Sequence, residues 1–175
     1  VWGPPHKFPY CEGRHYTPPS APVEHYLKVA KVLGFERGCL VQPSAHYHDV
    51  AIVLDAMKKS EGRLRGMIRG ECLETNDLKA LKAAGIRGVR LEVRRELRQW
   101  DEGLFQKQVA LAAGVGFVVA LHLDPKTIVE KADLIRRMPV TTIIENYALM
   151  DARLGVRSEE HTSELQSRFG ISYAV

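Results

Sequence analysis

Apolar residues along most of this chain alternate between a helical and a strand-like spacing. Val23, Tyr26, Leu27, Ala30 and Leu33 fall on one face at i, i+3, i+4 intervals, and Gly34 stops the run. Residues 37–43, Arg-Gly-Cys-Leu-Val-Gln-Pro, then read as a short buried strand. The same step recurs four times. Helices are predicted over 47–60, 76–84, 101–113 and 125–138, and strands over 64–69, 88–92, 117–123 and 140–145. Five strands alternating with five helices at a repeat of roughly 25 residues imply right-handed βαβ units and a parallel sheet. Ahead of them, residues 1–22 hold most of the nine prolines and several aromatics, the composition of an ordered irregular arm.

Two architectures share this alternation, a doubly wound open sheet and a barrel. Neither GxGxxG nor GxxxxGK[ST] occurs, which disfavours dinucleotide and P-loop binding. The strands instead end in polar residues: Gln42 and Ser44, Arg69, Arg90 and Glu92, His122 and Asp124, Glu145 and Asn146. A barrel places functional side chains at these carboxyl ends. The expected fold class is therefore α/β, a partial (β/α)8 TIM barrel, because five strands do not close one.

Composition narrows the function classes. With 175 residues, 45% hydrophobic and 26% charged, the chain is long enough for one substantial core. No apolar run approaches the length of a bilayer span, so no membrane partner is expected. Cys11, Cys39 and Cys72 are odd in number and widely spaced, as reduced thiols are, and with no charged-then-apolar leader the expected location is cytoplasmic. A net charge of +4 and a pI near 9.0 raise nucleic acid as a partner. The basic residues are mixed with acids along the helices, apart from Arg87, Arg90, Arg94, Arg95 and Arg98, so nucleic acid is not expected either.

The rhythm stops after Gly155. Residues 157–167, Arg-Ser-Glu-Glu-His-Thr-Ser-Glu-Leu-Gln-Ser, resemble the translation of a common sequencing-library adapter, and 171–175 continue that adapter in the same frame. The alternative is a charged C-terminal helix. The expected division is a barrel segment over 1–156 and an adapter-derived artefact over 157–175, whose His161 and glutamates are left out of functional reasoning.

Val1-Trp-Gly-Pro4, Phe8-Pro-Tyr10, Arg14-His-Tyr-Thr-Pro18, Leu40-Val-Gln-Pro-Ser44, Gly85-Ile-Arg-Gly-Val-Arg90, Leu121-His-Leu-Asp-Pro125 and Asp151-Ala-Arg-Leu-Gly155 occur in this order. Together they resemble the amidohydrolase-related family, in the branch of the 2-pyrone-4,6-dicarboxylate lactonases. The resemblance implies a (β/α)8 barrel that hydrolyses a lactone or a similar ester or amide, with strands two to six present here. It also implies that the Asp-x-His-x-His strand and the strand-eight Asp, which position and deprotonate a water, lie outside this chain. No catalytic residue and no metal ligand is then expected within it. The strand-six motif of the family, Asp-His-Met-Gly-Arg-Pro-Asp, is matched by Glu145-Asn-Tyr-Ala-Leu-Met-Asp151, so Asn146 stands where the histidine would be. Asparagine hydrogen-bonds but shuttles no proton and is a poor zinc ligand. The cofactor stays open between none and a divalent metal such as zinc or manganese.

By the same resemblance Tyr16, Ser44, Arg90, His122 and Asn146 surround the substrate, with His122 where the lactonase has a tyrosine. A guanidinium at a strand end matches a carboxylate with two parallel hydrogen bonds, which makes Arg90 the most informative of them. Arg94 or Arg95 is a candidate second clamp, one position out of register, with Glu96 at the expected place. Each has a structural alternative. Arg90 pairs with Glu92 or Glu145, Ser44 caps a helix, Tyr16 packs in the arm, and His122 is a hydrogen-bonded loop-entry residue. His46 and His48, two apart, are a weak case for metal binding. The expected function is a fragment of a lactonase-like hydrolase acting on a small carboxylated lactone by activated-water attack, the fragment itself being inactive. The competing expectation is a pseudoenzyme or small-anion-binding barrel. The oligomeric state is open.

Overall fold

The computed structural model describes residues 1–14, 16–93 and 101–146. The adapter-like segment 157–175, the Asp151–Gly155 motif, and Arg94, Arg95, Glu96 and Arg98 lie outside the described residues. The chain divides into two compact units, Val1–Gly88 and the residues from Val89 onward.

The first unit carries helix α1 (Val23–Val32), strand β1 (Gly38–Val41), helix α2 (Ala51–Lys59), strand β2 (Leu64–Arg69), helix α3 (Leu78–Ala83) and the start of β3 (Ile86–Val93). β1 and β2 pair in parallel, with Leu40 opposite Gly66 and Val41 opposite Met67. β2 is buried from Gly66 to Arg69, as a strand covered on both faces should be. Gly66 is small for a reason: a Cβ there would lie 2.5 Å from Ile86 Cδ1 and 2.8 Å from Val53 Cγ1. The second unit continues β3 and adds α4 (Glu102–Val115), β4 (Val118–Leu123), α5 (Pro125–Glu130), α6 (Ala132–Arg136) and β5 (Thr142–Ile144). β4 and β5 also pair in parallel, with Ala120 opposite Ile143. Hydrogen-bonded neighbours follow chain order, β1-β2-β3-β4-β5. A doubly wound sheet reverses its order at a switch point, whereas a barrel adds each strand beside the last. The fold is thus α/β, a partial (β/α)8 barrel.

The helix starts are chemically fixed. Asp77 accepts from the backbone N–H groups of Lys79 and Ala80, Asp101 from Leu104, and Asp124 from Thr127, each occupying orphan donors of a first turn. Three elements differ from expectation. The helix expected from Tyr47 begins at Ala51, after a 3₁₀ turn over Ser44–His46, because Tyr47 takes φ 41° and the Asp49 carboxylate accepts from Ala51 N–H at 2.8 Å. The helix expected over 125–138 breaks at Lys131 (φ −109°, ψ 15°), where neither glycine nor proline gave a signal. The last strand ends at Ile144, and Asn146 has already turned to φ 52°.

The arm is ordered, as its composition implied. Trp2 and Ala21 exchange backbone hydrogen bonds at 2.9 Å, and Cys11 N–H donates to the Ala45 carbonyl at 2.8 Å. His46, 2% exposed, joins arm to turn: Nδ1 lies 3.2 Å from the Pro9 carbonyl, Nε2 accepts from Gly3 N–H at 3.5 Å, and the Tyr10 ring is 5.1 Å away. His48 is exposed against Tyr47, so the two histidines do not converge as a ligand pair.

Two kinds of outcome follow from this packing. Gly66→Ala is expected to cost about 1–3 kcal/mol in denaturant unfolding by overpacking, although alanine is the better strand residue. Gly114→Ala, in the last turn of α4 with open space around it, should instead gain about 0.5 kcal/mol. The second outcome concerns pH. Burial, against the opposing pull of the Pro9 carbonyl and Asp49, lowers the His46 pKa below its ordinary 6.5. The unfolded chain therefore binds this proton more readily, so the contribution of His46 is complete above about pH 6.5 and fades as pH falls towards the folded pKa. The melting temperature should drop between pH 7 and 5, and drop less in His46→Gln; equal drops would exclude this histidine as the cause.

Candidate functional site

In the first unit the strand-end polar residues are mostly consumed by structure. Gln42 is fully buried and all its hydrogen-bonding capacity is engaged. Its Nε2 donates to the carbonyls of Tyr47 (2.7 Å) and Asp49 (3.1 Å), and its Oε1 accepts from Arg69 N–H (3.1 Å) and Cys72 Sγ (3.4 Å). This knot fixes the 44–49 turn over the end of β2. The Arg69 guanidinium, also buried, is 3.1 Å from Glu71, although its Nε–H closes no hydrogen bond. Burial raises the pKa of the Cys72 thiol, in spite of its hydrogen bond to Gln42, which makes it a packing residue rather than a nucleophile. Ser44 caps no helix. Its hydroxyl faces the Tyr16 hydroxyl at 3.5 Å, the outer limit of a hydrogen bond, and Tyr16 is 45% exposed.

The second unit gathers charge at the ends of its strands. Arg90 on β3 places Nε 2.7 Å from Glu145 Oε2 and a terminal nitrogen 2.9 Å from His122 Nδ1 on β4. Glu92 stands 3.8 Å from the other terminal nitrogen. Asn146 Nδ2 lies 3.3 Å from the same His122 Nδ1, and Glu145 Oε2 lies 3.5 Å from it. Guanidinium nitrogens only donate, so Nδ1 is an acceptor and the proton of the neutral ring belongs on Nε2. Although Glu145 Oε2 is close to Arg90 Nε, the N–H is not aimed along that line, and the buried Nε–H closes no hydrogen bond. A buried guanidinium donor in this state is costly to leave unmade.

Of the sequence candidates, Arg90, His122 and Asn146 meet in one cluster, and Tyr16 and Ser44 meet in another. The ion pair of Arg90 with both Glu92 and Glu145, weighed as its structural alternative, is present. Asp124, a strand-end residue, is a helix cap. Asn146 has a backbone reason of its own, since asparagine tolerates the left-handed conformation better than most residues. Glu145 is the residue that sequence reasoning undervalued. It enters the sequence reading as a strand-end residue and as one of two alternative partners of Arg90, and nothing in its spacing, 55 positions on, marks it as the nearer of the two.

Among the described residues no group of three or more His, Cys, Asp and Glu is placed to hold a metal ion. His122 and Glu145 are the nearest pair of donors in the cluster. The Arg90 cation faces both, and its charge opposes a second cation between them. This set does not fit a divalent metal. Cys11, Cys39 and Cys72 form no disulfide. No described helix is long and apolar enough to cross a membrane.

Known proteins give this arrangement a context. A 4-sulfomuconolactone hydrolase of Rhizobium radiobacter is 33% identical over 159 residues, which is 89% of this chain and 53% of that protein. A 2-pyrone-4,6-dicarboxylate hydrolase of Comamonas testosteroni is 30% identical over 162 residues, 91% of this chain and 53% of that protein. A solved Pseudomonas putida structure, described as a 2-pyrone-4,6-dicarboxylic acid hydrolase, aligns with a TM-score of 0.74 at 27% identity and covers 89% of this chain and 57% of its own. The chain spans about half the length of the curated relatives it matches. The family model described as Amidohydrolase matches residues 1–165, and with sequential parallel strands ending in a polar cluster on its β3, β4 and β5, this chain belongs to the amidohydrolase family.

Proposed function

We propose that the protein hydrolyses a small lactone bearing a carboxylate or sulfonate, by attack of water on the ring ester. One observation carries this: Arg90 sits at a strand end with a buried Nε–H that closes no hydrogen bond, beside a histidine whose ring accepts from it. The lactones in the relatives' names, a sulfomuconolactone and a pyrone dicarboxylate, bear such anionic groups.

In this reading Arg90 takes the anionic group through two parallel N–H donors and so fixes the ring relative to the strand ends. His122, whose Nδ1 accepts from Arg90, orients the guanidinium towards that group. Water adds to the carbonyl carbon, the ring C–O bond breaks, and the product is an open-chain acid with the former ring oxygen carrying a proton. Asn146 contributes a hydrogen bond and no proton transfer. Tyr16 and Ser44 join the substrate-holding residues on the family resemblance. The partner is a small anionic molecule, and the expected setting is the cytosol.

A second reading, a barrel that binds a small anion without hydrolysing it, is favoured by one contact. Asn146 Nδ2 lies 3.3 Å from His122 Nδ1 at the position where the family resemblance places a proton-shuttling histidine. The two readings separate in one assay on full-length protein. Hydrolysis of an anionic lactone, followed as loss of ring absorbance, supports the first, and binding without turnover selects the second. In either case Arg90→Ala should weaken transition-state or ligand binding by about 2–5 kcal/mol, the cost of truncating one side of a desolvated charged contact. Unchanged binding and kinetics in that variant would end the role given to Arg90.

A further inference from the structure

The cluster around Arg90 contains more negative charge than an anion site needs. Arg90 contributes one positive charge, and Glu145 and Glu92 face it from 2.7 Å and 3.8 Å. His122 and Asn146 contribute hydrogen-bonding atoms to the same place. A ligand carboxylate approaching this guanidinium meets an edge already covered by Glu145. Two carboxylates at one edge repel each other, so both cannot stay.

The Glu145 contact is close but poorly made. Its Oε2 is 2.7 Å from Nε, yet the Nε–H is buried with no hydrogen bond closed, so the charges attract while the donor stays unsatisfied. A carboxylate arriving in the plane of the guanidinium aligns two N–H bonds at once and satisfies that donor. Glu145 has another donor nearby, since its Oε2 lies 3.5 Å from His122 Nδ1 and the Asn146 amide Nδ2 lies 3.3 Å from the same nitrogen.

We propose that Glu145 is a specificity-determining residue, a built-in counter-ion that holds Arg90 until a ligand carboxylate displaces it. Anions that offer a planar pair of oxygens can repay the displacement. Anions that offer a single contact cannot. Glu145 thereby sets a threshold that separates carboxylates from the small inorganic anions of the surroundings.

This inference rests on Arg90 being the anchor for the anion, and the test separates the two. Benzene-1,3-dicarboxylate, which carries no hydrolysable bond, is titrated calorimetrically into the 175-residue chain and into three variants. Glu145→Gln keeps the shape and removes the charge, Glu145→Ala removes the whole group, and Arg90→Ala removes the anchor. Both Glu145 variants are expected to bind about ten-fold more tightly than the parent, the relief of a like-charge contact discounted for partial exposure. They should also begin to respond to chloride as a competitor, and Arg90→Ala should bind at least about ten-fold more weakly. Circular dichroism melts confirm that each variant is folded. If the folded Glu145 variants bind no tighter than the parent while Arg90→Ala still weakens binding, the counter-ion exchange is wrong and the anchor stands. If Arg90→Ala binds like the parent, the anchor falls and the exchange falls with it.

Discussion

Parallel strands cannot be joined by a tight turn, and that constraint organises the chain from Val23 to Asn146. Each strand has to be followed by a crossover long enough to return the chain to the starting edge, and the economical crossover is a helix. The interiors of β2 and β4 are covered and apolar in consequence, as in Met67 and Ile68 on β2 or Val119 to Leu123 on β4, where His122 is the exception. Polar residues are pushed to the strand ends, where the backbone leaves the sheet and helix caps are needed. The candidate site follows from this sorting, because the residues able to do chemistry are the ones the sheet expels.

Residues at equivalent strand ends nevertheless meet different fates, and hydrogen-bond accounting separates them. Gln42 is fully buried and engaged at both ends of its amide, so it is spent on holding the 44–49 turn. Asp124 is spent on the first turn of α5, accepting from both the backbone and the hydroxyl of Thr127 at 2.9 and 2.7 Å. Arg90 is different. It has two carboxylates and a histidine beside it and still closes no hydrogen bond from its buried Nε–H. Satisfied buried polar groups specify structure, whereas a charged group held in an incomplete arrangement is suited to exchange one partner for another.

Asn146 shows how backbone and chemistry compete for one position. The strand stops at Ile144 and the chain turns through a left-handed residue, which asparagine accepts at little cost. Its amide then falls within reach of His122 Nδ1. The asparagine that, by the family resemblance, stands where a histidine would be therefore supplies a turn-forming residue and places its amide beside His122. In the same cluster Glu145, with Glu92, balances the guanidinium charge of Arg90.

Much of the fold was legible because it depends on local periodicity. The alternating apolar patterns located all five strands, the aspartates at 77, 101 and 124 act as caps within three residues of themselves, and the proline-rich arm is ordered and irregular. Arg90, His122 and Asn146 were also readable as candidates, since strand ends can be counted along a sequence. The late start of α2, the break at Lys131 and the early end of β5 were not. They depend on a left-handed Tyr47, a non-helical Lys131 and a left-handed Asn146, none of which a hydrophobic period records. The pairing of Arg90 with Glu145, and the shared approach of Arg90 and Asn146 to one nitrogen of His122, were decided only in three dimensions. Sequence fixes which residues arrive at the strand ends through short-range physics, but which of them touch depends on strand register and side-chain direction across residues tens of positions apart.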